Sequence, residues 1–339
     1  MNGILTINAG SSSLKVAAFR ADSLERIGAA ELDDLGDRDH DAALRELLPR
    51  LGGHRWIAIG HRVVHGRELL GPHVVDAKLR AELETAIPLA PLHQPRCLAG
   101  IDAARRLAPH ALQVACFDTA FHRTIPDVAR RYALPIELSE IQAYGFHGLS
   151  YEYIASVLPD HLGARARGRV IVAHLGSGAS MCALRDRISV ATTMGLTPLD
   201  GLVMGTRPGA LDPGVVLYLI EQRGMTVAQV RDLLYHGSGL LGVSGKSASM
   251  QVLLAAHDRR SAEAIELFVY RAVTSIGALA AALGGLDGLV FTGGIGEHSA
   301  EIRDRITAGA RWLGDFAVAA IATDEELVIA RHARSLAEC

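Results

Sequence analysis

The 339-residue sequence has few cysteines, few aromatic residues and almost no net charge. Its four cysteines, Cys97, Cys116, Cys182 and Cys339, show no paired spacing. This argues against a disulfide framework or a zinc site and is typical of a protein in a reducing compartment. The 34 Lys and Arg residues nearly balance the 37 Asp and Glu residues, for a formal net charge of −3. That balance gives no general attraction for nucleic acid or an anionic membrane, so any bound anion must be held by local groups.

Long apolar runs are also missing. The longest uncharged stretch in the C-terminal half, residues 272–286, contains Thr274, Ser275 and several glycines. It falls short of the roughly 20 apolar residues that cross a bilayer, so it predicts a buried helix. The first residues lack the basic region and apolar core of a signal peptide. We therefore expect a cytoplasmic protein without a membrane segment.

What the chain does contain is an alternation of two periodicities. Short β-type runs alternate with segments of helical period, which indicates α/β architecture, and the length favours two domains at roughly 150 residues each. The predicted strands are residues 4–7, 14–19, 56–64, 112–117, 170–173, 188–193 and 289–292. The predicted helices are residues 94–107, 150–158, 212–222, 261–283 and 299–313. The fourth helix is expected to begin at Ser261 and to end at Gly284.

The two halves of the chain contain similar segments, an internal sequence repeat. The segments ILTINAGSSS at 4–13 and VIVAHLGSGA at 170–179 match in character at a constant offset of 166 residues. Each segment predicts a strand, a turn of small residues and a second apolar run. Backbone N–H groups of such turns approach an anion closely because no bulky side chain intervenes. Either segment alone favours an unrelated hairpin, but the equal offset predicts a duplicated fold with phosphates held between the halves.

A third loop of small residues has the sequence FTGGIGEHS at 291–299. It joins a predicted strand to a predicted helix, whose N-terminus supplies partial positive charge. Position 299 is serine and the motif comes late in the chain, which argues against a Rossmann dehydrogenase. The GKS at 245–247 resembles the end of a Walker A loop, but Leu240 occupies the position of the earlier glycine, so that match fails.

Two motifs place charged side chains on or after predicted strands. In HRVVHG at 61–66, Arg62 and Val64 share one face of the strand, as a small carboxylate with a short alkyl group requires. A surface ion pair is the commoner role of such an arginine, and structural roles are commoner for the two histidines. Asp118 directly follows the strand at 112–117, where ligands bind in open α/β sheets.

Two further motifs are rich in glycine. In YGFHG at 144–148, the neighbouring glycines leave the imidazole of His147 accessible. A long stretch at 193–209 is punctuated by glycines and carries Arg207 near its end. Such stretches often carry function, although a plain connecting loop is the alternative.

Taken in order, these motifs resemble the acetate kinase family, ATP-linked acyl kinases of the actin-like superfamily. The motifs are NAGSSSLK at 8–15, HRVVHG at 61–66, FDTAFH at 117–122, YGFHG at 144–148, MGTR at 204–207, FTGGIGE at 291–297 and EEL at 325–327. The resemblance implies a duplicated actin-like (ribonuclease H-like) α/β fold of two domains with an active-site cleft between them. The implied domains are residues 1–118 with the returning helix 326–339, and residues 119–325 on the nucleotide side. A homodimer is also implied.

The same resemblance implies Mg²⁺-dependent, reversible phosphoryl transfer between ATP and acetate or propionate. Acetate is ionised at neutral pH, so the nucleophile needs no general base, and positive charge and alignment should dominate. By resemblance, Arg62 and Arg207 flank acetate and the phosphoryl group, and His147 stabilises the transition state. Asp118 matches a residue close to the reacting centre, with a positioning or metal-linked role.

Further residues match the family's binding positions. The match to the Mg²⁺ site consists of Asn8 and Glu325, whose oxygen atoms suit this ion. The match to the pocket for the methyl group consists of Val64, Leu92, Phe146 and Pro198. The match to the nucleotide and phosphate contacts consists of Ser11, Ser13, Lys15, His174, Gly176, Ser177, Gly178, Ser249, Gln251, Gly294, Ile295, Gly296 and Glu297.

The departures from the family pattern lie on the nucleoside side. Ser177 and His298 each replace an asparagine, whereas Ser249 and Gln251 occupy the positions of an aspartate and an arginine that hold adenosine. The chain is also shorter than typical members. These departures leave two alternatives open: the same chemistry with a donor such as pyrophosphate, and a non-catalytic ligand-binding member. The second predicts loss of the reacting residues, which are present. A sugar kinase of the same superfamily is a further alternative, but it would need a base that activates a hydroxyl group and a polar pocket for the sugar.

Overall fold

A computed structural model describes residues 2–9, 13–32 and 39–338. Its strands are β1 (Asn2–Ala9), β2 (Leu14–Arg20), β3 (Arg26–Leu32), β4 (Arg55–Val63), β5 (His73–Val74), β6 (Leu112–Phe117), β7 (Arg169–Leu175), β8 (Ala179–Arg185), β9 (Ile188–Thr192), β10 (Gly288–Thr292) and β11 (Ala317–Ala320). Its helices are α1 (His40–Leu47), α2 (Ala77–Glu84), α3 (Gln94–Leu107), α4 (Asp127–Arg130), α5 (Gly148–Leu162), α6 (Pro213–Glu221), α7 (Val227–His236), α8 (Gly239–Ser244), α9 (Met250–Leu254), α10 (Arg259–Leu283), α11 (Gly293–His298), α12 (Ala300–Ala310) and α13 (Glu325–Ala337). Short 3₁₀ helices lie at Leu48–Leu51, Ile87–Leu89, Ala120–Thr124, Ile136–Leu138, Gly163–Arg167 and Arg311–Leu313.

The chain divides into two compact units. The first unit takes the chain up to Arg123, the segment Phe146–Tyr153, and the chain from Asp324 onward. The second unit takes Thr124–Gly145 and Ile154–Thr323. Each unit is built around one sheet, and the predicted α/β architecture is confirmed.

The two sheets repeat one topology. The first has the order β3-β2-β1-β4-β6-β5, and the second, taken from its antiparallel edge, has the order β9-β8-β7-β10-β11. In each, an antiparallel hairpin comes first, β1 with β2 or β7 with β8. The first strand of each hairpin then pairs in parallel with a later strand, β4 or β10. The two segments of the internal sequence repeat form these two hairpins, so the predicted duplication is confirmed.

Apolar side chains cover both faces of the first sheet. Leu5 and Ile7 of β1 belong to a core shared with α1 and α3. Ile4 of the same strand belongs to a second core, which includes Val328 and Ile329 of α13. Successive strand residues point to opposite faces, so a strand covered on both sides must be apolar almost throughout. The last helix of the chain therefore packs on the first sheet.

The helix α3 has the predicted bounds, but the predicted start of α10 is wrong. α10 begins at Arg259, and Asp258 is its N-cap, with a side chain that accepts a hydrogen bond from the backbone N–H of Ser261. A carboxylate three residues before Ser261 caps the free N–H groups of the first turn, so the serine lies inside the helix. The predicted end is confirmed, because Gly284 has a left-handed φ of 75°.

The long helix α10 passes a length and composition test for a membrane span, with a window mean hydropathy of 1.4. It nevertheless packs against β7, β8, β9 and α12 of the second unit. Phe268, Ile276 and Leu283 are among its buried residues. These contacts are those of a core helix, as predicted for residues 272–286.

Candidate active site

Three polar side chains lie where neighbouring parallel strands of the first unit end. Asn8 is the penultimate residue of β1, Arg62 is the penultimate residue of β4, and Asp118 directly follows β6. Parallel strands end at the same edge of a sheet, and this edge is where open α/β sheets bind ligands. Glu325, the first residue of α13, reaches the same place because α13 packs on these strands.

The guanidinium of Arg62 is the centre of this group. Its Nε lies 3.1 Å from both carboxylate oxygens of Asp118, and its Nη2 donates to Asp118 Oδ2 at 2.6 Å. Its Nη1 donates to Asn8 Oδ1 at 3.2 Å, and its Nε lies 3.9 Å from Glu325 Oε2. The Asp118 side chain is only 1% exposed. Such a forked contact fixes the plane of the guanidinium.

Burial and charge act on these groups in opposite directions. Burial lowers the pKa of Arg62, but the charges of Asp118 and Glu325 raise it further, so that its pKa lies above the ordinary value. Burial raises the pKa of Glu325 to about 7, with Asp118 adding to the rise and Arg62 opposing it. The site therefore holds a permanent cation beside a carboxyl group whose ionisation is opposed by burial and favoured by positive charge.

The oxygen atoms around Arg62 fit a hard divalent cation that also binds substrate. Asn8 and Glu325 offer an amide oxygen and a carboxylate, and Asp118 offers a second carboxylate. Among the residues that the structure describes, no cluster of three or more His, Cys, Asp and Glu side chains forms a complete metal centre. Mg²⁺ commonly takes one or two carboxylates and completes its shell with water and phosphate oxygens, so the donor set fits this kind of ion.

His147 stands in a strained turn tied to Asp118. Its φ is +58°, in the left-handed region that side chains rarely adopt. The next residue, Gly148, donates its N–H to the carbonyl of Asp118 at 2.8 Å, and a Cβ at this glycine would lie 2.2 Å from that oxygen. The backbone of Tyr151 donates to the His147 carbonyl at 3.1 Å. The turn before α5 is thereby fixed to the residue that holds Arg62.

Sequence reasoning missed the role of His122 in this turn. The ring is buried, and its Nε2 donates to the carbonyl of Phe146 at 2.9 Å. Tyr151 packs edge-on against the ring at 5.5 Å between centroids. Burial lowers the pKa of His122 to about 4, which keeps the ring neutral. The FDTAFH motif was the available signal, although it did not indicate this contact.

The acyl-pocket candidates divide between the units. Val64 and Phe146 are buried and Leu92 is half-buried in the first unit, whereas Pro198 belongs to the second. Gln94 is a second residue that sequence reasoning missed. Its side chain accepts from the backbone N–H of His65 at 3.1 Å and donates to the carbonyl of the same residue at 3.0 Å. This fully buried amide anchors the chain next to Val64.

Arg207 of the second unit is bound to the loop that carries Pro198. Its Nη1 donates to the Pro198 carbonyl at 2.6 Å. Tyr235, a third missed residue, is buried beside them, with its hydroxyl bonded to Thr197. Its carbonyl accepts from the hydroxyl of Thr206 at 2.7 Å. Burial raises the pKa of Tyr235, while the charge of Arg207 opposes the rise.

The second unit also contains a cavity of about 760 Å³. Its lining residues are Gly176, Ser177, Ala248, Ser249, Met250, Gln251, Leu254, Gly294, Ile295, His298 and Ser299. The cavity therefore lies between the turn of the β7–β8 hairpin, the start of α9 and the short helix α11. A cavity of this volume is large enough for a nucleoside.

Six of the predicted nucleotide contacts line this cavity: Gly176, Ser177, Ser249, Gln251, Gly294 and Ile295. Four others are not in its lining: His174, Gly178, Gly296 and Glu297. In the first unit, Lys15 forms an ion pair with Glu31 at 2.9 Å, and Ser13 is half-buried directly before β2. Ser11 lies outside the described residues.

Comparisons with known proteins define the class of enzyme. The model of the acetokinase family matches residues 38–334. An acetate kinase from Rhodopseudomonas palustris (strain TIE-1) is 49% identical over 391 aligned positions, which cover 99% of this chain and 98% of that protein. The chain is therefore a kinase whose phosphoryl acceptor is a carboxyl group. It belongs to the acetokinase family.

Solved structures agree with this assignment. A Porphyromonas gingivalis acetate kinase has a TM-score of 0.88 and 31% identity, covering 99% of this chain and all of that one. A propionate kinase from Francisella tularensis subsp. tularensis SCHU S4 has a TM-score of 0.89 and 34% identity at the same coverage. The duplicated actin-like fold is thereby confirmed. Family membership implies ATP and a carboxylate as substrates and a divalent metal ion as cofactor, and nothing in the comparisons favours pyrophosphate or a non-catalytic role.

Proposed function

We propose that this protein catalyses the Mg²⁺-dependent, reversible transfer of a phosphoryl group from ATP to acetate or propionate, giving the acyl phosphate and ADP. The observation that carries the proposal is the half-buried guanidinium of Arg62, held in one plane by Asp118 at the edge of the sheet where open α/β folds bind ligands. A fixed cation at this edge suits a carboxylate that must approach a phosphate.

The chemistry requires charge compensation rather than proton removal. A carboxylate with a pKa near 4 is already the nucleophile at neutral pH, but it must approach a polyanion. Arg62 and Arg207 orient the acid and the transferring group, because a guanidinium binds carboxylate and phosphate through two parallel hydrogen bonds. His147 donates to the phosphoryl oxygens as charge develops there. Asp118 acts by orienting Arg62.

Asn8 and Glu325 are the proposed ligands of Mg²⁺. Bound there, the ion would neutralise phosphate charge in the transition state. Its charge would also favour the ionised form of Glu325, whose pKa burial raises to about 7. A hydrogen bond from Arg62 Nη1 keeps Asn8 Oδ1 oriented within the same group.

Val64, Leu92, Phe146 and Pro198 are the proposed walls around the alkyl group of the acid. Val64 and Phe146 are both buried in the first unit, and Val64 lies two positions after Arg62 in the sequence. One added methylene changes binding by only about 1–3 kcal/mol, so acetate and propionate should both react. The cavity of the second unit is the proposed site of the nucleoside, with Ser177, Ser249 and Gln251 as polar contacts.

We further propose a homodimer in the cytoplasm, with domains at residues 1–118 plus 326–339 and at residues 119–325. The support for a dimer is α6, whose sequence is largely apolar although none of its residues is buried. Val215, Leu217 and Tyr218 are 38%, 57% and 54% exposed. An exposed apolar helix of this kind is typical of a surface that a second copy covers.

The test is formation of an acyl phosphate, trapped as its hydroxamate. The purified protein with ATP and Mg²⁺ should convert acetate and propionate, and butyrate more slowly. Omission of the divalent ion should abolish the product. No hydroxamate with any of the three acids would contradict the proposal, and pyrophosphate in place of ATP serves as the donor control.

A further inference from the structure

The short helix α11 follows β10 directly and contains three glycines within four residues, Gly293, Gly294 and Gly296. Glycine loses more conformational freedom on ordering than any other residue, so a helix of this composition is costly to fix in one conformation. Gly293 has a left-handed φ of +76°, and a Cβ there would lie 2.9 Å from the carbonyl oxygen of Leu175. Gly294 and Ile295 of α11 line the cavity of the second unit.

One carboxylate oxygen holds the start of this helix in place. Oε1 of Glu297 accepts from the backbone N–H of Gly293 at 2.9 Å and from the hydroxyl of Thr292 at 3.3 Å. The same oxygen accepts from the backbone N–H of Thr323 at 3.3 Å. The side chain thus joins the start of α11 to the chain that follows β11.

The backbone of Glu297 is fixed from the other side. Nη1 of Arg303 donates to the carbonyls of Gly296 and Glu297 at 2.9 and 2.8 Å. The second carboxylate oxygen, Oε2, accepts no hydrogen bond from the described residues. Glu297 is half-buried and does not line the cavity. Its geometry is therefore that of a group turned toward the start of its own helix rather than toward a ligand.

We infer that Glu297 is a positioning residue for the phosphoryl donor: its carboxylate fixes the glycine-rich start of α11, residues 293–296, in the conformation that binds the nucleotide. An ionised oxygen is suited to this task because hydrogen bonds to a charged acceptor are roughly twice as strong as neutral ones. Without it, the start of α11 orders only when the nucleotide binds, and the cost of ordering appears as weaker donor binding. The inference rests on the proposed use of ATP, and it replaces the expected direct contact between Glu297 and the nucleotide.

The matched variants are Glu297→Ala, which removes the acceptor, and Glu297→Gln, which keeps a neutral acceptor of the same shape. Glu301→Ala is the control, because this nearby carboxylate is exposed and pairs with Arg305 at 3.7 Å. The expected KM for ATP is at least tenfold higher in Glu297→Ala, intermediate in Glu297→Gln and unchanged in Glu301→Ala. The KM for acetate should change less than threefold in all three.

A KM for ATP within threefold of wild type in folded Glu297→Ala would overturn the inference, as would equal increases for ATP and acetate. If Glu297→Ala does not fold, Glu297→Gln is the deciding variant. A KM for ATP that is at least threefold higher, with the KM for acetate unchanged, supports the role of Glu297. A smaller change in the KM for ATP overturns it. Calorimetric binding of ADP to the same proteins separates this result from the proposed reaction. If the wild type forms no acyl phosphate, the proposed activity is wrong. The Kd values for ADP still test Glu297: at least tenfold weaker binding is expected in Glu297→Ala and an intermediate loss in Glu297→Gln, whereas a change of less than threefold in Glu297→Ala overturns the inference.

Discussion

Nη2 of Arg62 donates to Oδ2 of Asp118 at 2.6 Å, while its Nε lies 3.1 Å from both carboxylate oxygens. The pair joins the end of β4 to the residue that follows β6. The buried carboxylate of Asp118 therefore orients the guanidinium through three contacts.

Asp118→Asn should lower kcat/KM for acetate by about 100-fold, the effect typical of a misplaced charge-stabilising group. The amide keeps the shape of the side chain but cannot accept both guanidinium N–H groups as an anion does. Asp102→Asn is the matched control, because Asp102 holds Arg80 in the same unit with an Nη2–Oδ2 distance of 2.8 Å. Equal losses in the two variants would show that the effect is general destabilisation.

Gly148→Ala should lower kcat at least tenfold and reduce stability by about 1–3 kcal/mol. The new methyl group would lie 2.2 Å from the carbonyl oxygen of Asp118, so the turn that carries His147 must move. Gly53→Ala, where a Cβ meets nothing within 4 Å, is the control for the loss of a glycine. Steady-state kinetics and a urea titration measure both effects; wild-type kcat in Gly148→Ala would contradict the geometry of this turn.

Tyr235→Phe should raise the KM for acetate several-fold and leave the KM for ATP unchanged. The variant deletes one buried hydroxyl, which is bonded to Thr197 next to Pro198. Tyr270→Phe, at a tyrosine that is 62% exposed, should be neutral. A higher KM for ATP with an unchanged KM for acetate would instead place the loop that carries Pro198 at the nucleotide site.

Stability should fall as the pH decreases from about 6.5 to 4. Burial lowers the pKa values of His61, His65 and His122 to about 4. Between that value and the ordinary 6.5, the unfolded chain binds protons that the folded chain does not, so the free energy of unfolding rises with pH across this window. Each of these histidines should lower the free energy of unfolding by about 2 kcal/mol at pH 5 relative to pH 8. Urea titrations at both values check this, and equal unfolding free energies would contradict it.

Leu217→Glu should convert a dimer to a monomer, because a charge in the middle of α6 opposes burial of its exposed apolar side chains. Light scattering after size-exclusion chromatography measures the mass. Leu70→Glu changes an equally apolar residue, 75% exposed in the first unit, and should leave the dimer intact. A wild-type protein that is monomeric at all concentrations would contradict the dimer.

Much of the fold could be predicted because apolar runs and small-residue turns are local signals. The predicted strands were found, and the offset between the two hairpins predicted the duplication. β3 was missed because its residues RIGAAEL are only partly buried, and β11 because it has four residues. Asp258 and Ser261 are both good N-caps three positions apart, so the sequence alone did not decide between them.

The candidate site was predictable at the ends of strands and less so elsewhere. Asn8, Arg62 and Asp118 follow from the order of apolar runs, since parallel strands end together. Gln94 and Tyr235 each bind a site residue that lies 29 positions earlier in the chain, His65 and Thr206. Such contacts depend on tertiary packing. Glu297 was assigned to the nucleotide because its motif is rich in glycine, although its carboxylate binds the backbone at the start of its own helix.

The most direct test of the account is the rate of acetyl phosphate formation by Arg62→Ala, compared with wild type and with Arg62→Lys. The account predicts a loss of about 1000-fold or more in Arg62→Ala and only partial recovery in Arg62→Lys, because an ammonium cannot form the forked contact. Circular dichroism should show both variants folded. A folded Arg62→Ala protein with activity within tenfold of wild type would contradict the central role of this guanidinium.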